Sequence, residues 1–330
     1  MVRICYILNT HQGVCVNFFK ALSFFLLPVV AFAGELNFSL TTAAADYLER
    51  DIEPGEDHFA SVAGPFNGAK VATIFNAIYT LPTPLGSHWL LKDADVEFTA
   101  GLELSPLSIR PLVKAEFTPV PFLVFGAGGT IGTGWNPLGF DGMSIYNPVK
   151  AEYESLTPFK HYYYDFWASA TFQFDTGALI PGDWSHVVMQ ASYQWIYKGI
   201  TGVDDGDIWE WQVIPGEANG WQYYVTAVLG YQMPLVLDMI GFMAEFYGHY
   251  DRSDYAKMYR GFDGEFMWID LSVLLEFAFN EKNTLKTLFT FEGDRSFSVK
   301  HENSDQEPLL KRTGREWSFY RIALVWDHKF

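Results

Sequence analysis

The chain has 330 residues, with 22 basic against 39 acidic residues, a net charge of −17 and 18% aromatic residues. That balance excludes nucleic acid as a partner, because phosphate binding needs a basic face. Mean hydropathy is +0.03. The two longest charge-free stretches, 117–140 and 218–237, are broken by Pro119, Pro121, Pro137 and Pro234, so no lipid-facing helix is expected.

Residues 1–33 read as a secretory signal. Arg3 and Lys20 are its charges, 21–30 is apolar, and Ala31-Phe32-Ala33 is a small-x-small cleavage site before Gly34. Cys5 and Cys15 both lie in that segment. Its removal leaves 297 residues with a net charge of −19 and no cysteine, which excludes disulfides, thiol catalysis and Cys-ligated zinc.

The remainder alternates apolar and polar residues with a period of two, which a helix cannot accommodate. Strands are expected at 35–45, 70–81, 94–105, 107–118, 121–132, 161–175, 185–198, 220–232, 236–250, 265–279, 284–293 and 316–330. The run 161–175 is the clearest. Tyr162, Tyr164, Phe166, Ala168, Ala170, Phe172 and Phe174 share one face, and Asp165, Gln173 and Asp175 lie on the other. These runs are 10–15 residues long. A tilted membrane strand needs about 9–11 residues, and strands of soluble sandwiches are mostly about 5–6. Short connections fall around Pro106, Pro121 and Pro234 and at 280–283, and a medium one falls at 177–183. Long ones fall at 46–68, 133–160, 199–219, 251–264 and 294–315, all on the side away from the chain ends.

The terminal run places Tyr320, Ile322, Leu324, Trp326 and Phe330 on one face, with Arg321, Asp327 and Lys329 on the other. It resembles the C-terminal strand of bacterial outer-membrane β-barrels, whose terminal Phe belongs to the assembly signal. His328 stands where an aromatic is more usual. The resemblance covers the class and matches no particular family. It implies an all-β fold, a closed antiparallel transmembrane barrel of about twelve strands (10–14) in up-and-down order, over 34–330. It also implies residence in the bacterial outer membrane, with lipid and the barrel-assembly machinery as partners. Trp135, Tyr162, Trp184, Trp221, Tyr250, Trp317 and Trp326 fall near strand ends, where aromatic girdles sit.

Alternation points Asp95, Glu97, Glu103, Glu116, Asp165, Asp175, Glu245, Asp270, Glu276 and Glu292 inward, against Arg110, Lys114, Lys198, Lys286 and Arg321. Such a lumen is acidic, and carboxylate rings favour cations. Twelve strands lie between filled barrels of about eight and open channels of 16–18. The interior is therefore either a narrow path or a plugged one. Asp204, Asp205 and Asp207 form an acidic loop, a weak calcium candidate without EF-hand spacing. The glycine run from Gly126 to Gly134 lacks the following helix of a phosphate loop, and small residues that let another segment approach are the better reading. No mature histidine has Ser two positions on, the arrangement of an outer-membrane phospholipase; His249 with Asp251 and Asp254 is the remaining candidate dyad.

These features point to a non-enzymatic, porin-like channel for small solutes, cation-preferring and without a cofactor. The alternatives are a non-conducting barrel acting through its acidic outer loops and, behind that, an envelope lipase or protease.

Overall fold

The computed structural model describes residues 34–301 and 303–330. The expected signal segment 1–33, with its two cysteines, lies outside them. Seventeen strands follow in chain order. They are β1 (Glu35–Arg50), β2 (His58–Phe59), β3 (Val62–Pro82), β4 (Asp95–Ser105), β5 (Ser108–Val120) and β6 (Leu123–Gly134). Next come β7 (Met143–Asn147), β8 (Glu152–Ser155), β9 (Tyr163–Asp175), β10 (His186–Ile200), β11 (Ile208–Trp211) and β12 (Ile214–Ala218). The last are β13 (Gly220–Gln232), β14 (Leu237–His249), β15 (Trp268–Asn280), β16 (Asn283–Phe297) and β17 (Arg312–Lys329).

Twelve of these form one antiparallel meander, β1-β3-β4-β5-β6-β9-β10-β13-β14-β15-β16-β17. It closes where β17 returns to β1, from Ser39 opposite Lys329 to Tyr47 opposite Arg321. Closure leaves no open edge around the ring, which lipid demands of any spanning sheet. All twelve strands expected from the alternation are present.

The two faces of each strand differ as the period of two requires. On β14, Phe242 is 67% exposed while Met243, its neighbour, is 2% exposed. Phe98, Phe125, Phe172, Leu229, Leu271 and Leu324 repeat the outward pattern around the ring. A water-soluble sandwich would bury that face. Here the ladder is closed and the face points out, so the apolar band meets hydrocarbon, at about 1.5–3 kcal/mol for each large side chain removed from water.

Several boundaries moved. β1 runs on to Arg50 and β3 starts at Val62, so the first outer connection is 51–61 rather than 46–68, with β2 pairing parallel to β17. β16 and β17 shorten the last one from 294–315 to 298–311. These extensions carry register shifts at 47–50 and 296–297, and such irregular stretches hide a period of two. On the side of the chain ends, the connection 83–94 is longer than its neighbours, an exception to the pattern of short turns there. A bulge opposite Thr290 and Phe291 also re-aims Tyr320. It faces the interior beside Tyr47 instead of sharing the lipid face with Leu324 and Trp326.

Candidate functional site: a capped chamber in the barrel

Two of the long outer connections are built structure. β12, β11, β7 and β8 form a second, four-stranded sheet in that order. Tyr146, Ile208, Ala218, Tyr255, Tyr259, Phe262 and Phe297 bury one another beneath it, drawn from three outer connections and the end of β16. A second cluster joins Met143, Trp209 and Trp211 to Tyr163 and Ile200 at the rim of the wall. Trp211 stacks on Tyr163 with ring centroids 4.6 Å apart. The outer connections thus pool their aromatics into a cap with its own core.

The glycine run of β6 is where the cap meets the wall. A Cβ on Gly132 would lie 2.9 Å from the Trp211 ring, and one on Gly134 would lie 2.6 Å from the Gly142 backbone. Hydrogen atoms alone fit there. The turn joining β11 to β12 reaches across the mouth. Gln212 and Val213, at its tip, have φ of 51° and 58°. Left-handed backbone of this kind costs roughly 1–3 kcal/mol at a non-glycine residue. What holds it is the Gln212 amide, which donates to Glu103 Oε1 at 3.1 Å and Ser108 Oγ at 2.6 Å. Glu103 also pairs with Arg110, its direct cross-strand neighbour.

Between cap and wall lies a cavity of about 370 Å³. Six of the fifteen charged residues expected in the lumen line it, namely Glu103, Lys198, Glu245, Asp270, Glu292 and Arg321. Arg110 and Asp165 are buried beside it, Asp165 accepting from Tyr163 at 2.7 Å. The others lie towards the chain ends. Lys114 pairs with Glu116 at 2.7 Å, Glu97 accepts from Thr80 at 3.0 Å, Glu276 lies opposite Lys286, and Asp175 pairs with His186 at 2.8 Å. Towards the chain ends, Val228, Met243, Leu274 and Leu288 bury one another on the inward face with Ala323 and Val325, which also line the chamber. This apolar patch is a departure from a uniformly polar lumen.

Alternation did not gather several chamber residues. Arg50 binds Asp294 at 2.7 Å and Glu316 at 3.3 Å. Glu217 pairs at 3.3 Å with Lys198, which the alternation had already pointed inward. Tyr47, Tyr224, Tyr247 and Tyr320 face the same space. Tyr224 had a signal, since it shares parity with Gln222 and Thr226. Arg50, Glu217 and Asp294 sat in stretches that read as loop.

Of the two candidate partners of His249, the structure pairs it with Asp254 and not with Asp251. Its Nδ1 contacts Asp254 at 2.8 Å and its Nε2 contacts the Gln222 amide at 2.8 Å. It ties β14 to the cap through Glu217, 3.6 Å away. Burial opposes ionisation of Glu217, yet Lys198 and His249 hold its carboxyl well below the usual range. Asp204, Asp205 and Asp207 lie in a turn closed by Asp207 N–H to Asp204 O at 3.2 Å. Among the described residues, no three acidic or histidine side chains converge on a common metal position.

Glu210, on β11, behaves oppositely to Glu217. Burial pushes its carboxyl up to about 7, with Asp141 and Asp305 adding to the rise and a hydrogen bond from Ser144 opposing it. A raised acid binds its proton more tightly in the folded cap. The contribution to cap stability is full below about pH 4.3, the unfolded value, and falls as pH rises towards 7. Quenching of cap tryptophan fluorescence by acrylamide should therefore increase between pH 5 and pH 8. Glu210→Gln should flatten that rise, and an unchanged pH dependence in the variant would reject the assignment.

A closed meander of twelve strands, an encircling apolar band and a charged interior define a transmembrane β-barrel of the bacterial outer-membrane type. No family model matches the sequence, and no curated protein matches it. Among solved structures, the chain is similar to the COG4313 outer membrane channel of Pseudomonas putida F1, at 10% identity and a TM-score of 0.44, covering 89% of this chain and 95% of that one. It is also similar to the outer-membrane-expressed OmpT of Vibrio cholerae (8% identity, TM-score 0.38, 90% and 97% covered). A third is the outer membrane channel DcaP of Acinetobacter baumannii (10% identity, TM-score 0.36, 90% and 97% covered). Values this low assign no activity to this chain.

Proposed function

We propose that the protein is a narrow, capped channel that passes small solutes across the outer membrane and prefers cations. The observation that carries this is the row Glu245, Asp270 and Glu292. These residues are direct cross-strand neighbours on β14, β15 and β16, and all three face the chamber. Like charges directly opposed on a sheet are destabilising. Arg321 pairs with two of the three, lying 3.3 Å from Asp270 and 3.8 Å from Glu245. A row of acids that opposes folding is accounted for if it acts on what passes.

Single-channel recording in planar bilayers under a salt gradient tests the reading. The expected result is a small conductance with a cation-selective reversal potential, reduced towards zero in Glu245→Gln/Asp270→Asn. No conductance above background ends the channel reading. It would favour a barrel that acts through its cap, for which the apolar patch on the inward face is the supporting observation.

A further inference from the structure

We infer that the chamber under the cap is a binding site for a small organic cation, its charged nitrogen seated among Glu245, Asp270 and Glu292. The inference deepens the proposed channel by naming the class of its solute.

Glu292 carries the argument. It is 4% exposed and lines the cavity, and among the described residues its side chain takes part in no hydrogen bond or ion pair. Its nearest compensation is through-space attraction from Arg50 and Arg321, both engaged with other carboxylates. Asp270, 3% exposed, directs one oxygen to Arg321, while its Oδ1 has no hydrogen-bond partner. Glu245, 4% exposed, accepts from the Tyr224 hydroxyl through Oε1 and has no hydrogen bond at Oε2. Three nearly buried carboxylates with unused acceptor oxygens, two of them paired with Arg321 and the third attracted by Arg50 and Arg321 only through space, leave room for a further cation. A buried charge is tolerated when paired and is costly alone.

The chemistry of that cation follows from what surrounds the row. The acids stand on three successive strands and do not converge as metal ligands do. They suit an ammonium or guanidinium group, which donates several hydrogen bonds outward. Tyr47, Tyr247, Tyr320 and Trp268 also line the chamber, and aromatic faces attract organic cations. Ala43, Ala45, Ala323 and Val325 supply an apolar patch for the rest of the molecule. The cavity of about 370 Å³ suits a small ligand.

The test is calorimetric titration of the full-length barrel, folded in detergent, with 2-phenylethylamine and with 3-phenylpropionate against a detergent blank. Expected is saturable binding of the amine and none of the acid. Glu292→Gln and Glu245→Gln/Asp270→Asn should each weaken amine binding at least tenfold, and Glu281→Gln, in a turn at the other end, should leave it unchanged. Glu292→Gln removes no hydrogen bond, so it keeps the comparison open if the double variant fails to fold, which heat-modifiable gel migration reports. No amine binding, equal binding of amine and acid, or full affinity in Glu292→Gln overturns the inference. Conductance without amine binding overturns the site and leaves the channel standing. Amine binding without conductance supports the site and ends the channel.

Discussion

Replacing residues 207–216 with a short Gly-Ser linker is expected to raise single-channel conductance several-fold while leaving the barrel folded. The excised hairpin lies across the mouth and is anchored by Gln212 to Glu103 and Ser108. The twelve-strand ladder closes without it, because β17 pairs with β1 over nine residue pairs. Glu217 stays, so Lys198 keeps its partner. Twelve strands enclose more space than the roughly eight whose interior side chains fill, and the hairpin accounts for much of the filling at the outer end. Recording in planar bilayers reads the change, and heat-modifiable migration checks the fold. An unchanged conductance would mean that the restriction lies lower, at the patch of Leu274, Leu288 and Val325.

The second large effect is expected from Glu103→Ala. Arg110 is 2% exposed and forms its ion pair with Glu103, Asp165 attracting it more weakly. Removing one partner of a buried ion pair leaves an uncompensated charge and costs about 3–5 kcal/mol, whereas replacing both by apolar residues of similar size is often neutral. Unfolding in urea, followed by tryptophan fluorescence, should show that loss in Glu103→Ala and its recovery in Glu103→Leu/Arg110→Met. The single variant also frees Gln212 from one acceptor, so conductance should rise as the hairpin tip loosens. Equal stability of Glu103→Ala and the parent chain would show that water reaches Arg110 and that the mouth is open at this level.

The fold was legible because its physics is local. A strand in lipid must alternate, and the alternation in 161–175 or 265–279 is visible in the residues themselves. Where it blurred, the chain bends. The stretches 46–50, 62–69, 294–297 and 312–315 read as loop because register shifts break the period, and the structure adds them to the wall. Tyr320 shows the same effect on one side chain. The alternation of β17 puts it towards lipid, and a bulge turns it towards the chamber.

The site was legible only in part. Each of Glu245, Asp270 and Glu292 is an inward carboxylate by parity, which the sequence itself determines. That they stand directly opposite one another depends on strand register, and register is set by ring closure and turn geometry rather than by any one segment. The glycines of β6 announced that something approaches closely, and only the tertiary structure decided that it is Trp211 and the Gly142 backbone. The cap is the extreme case. Its aromatics come from connections more than a hundred residues apart, such as Tyr146 and Tyr259, whose rings lie 6.0 Å apart. Sequence alone determined a membrane barrel with one polar, inward face on each strand, because lipid imposes a repeating demand on every strand. The cap, the chamber and the neighbours of each charge came from the tertiary structure, because contacts between distant segments leave no period to read.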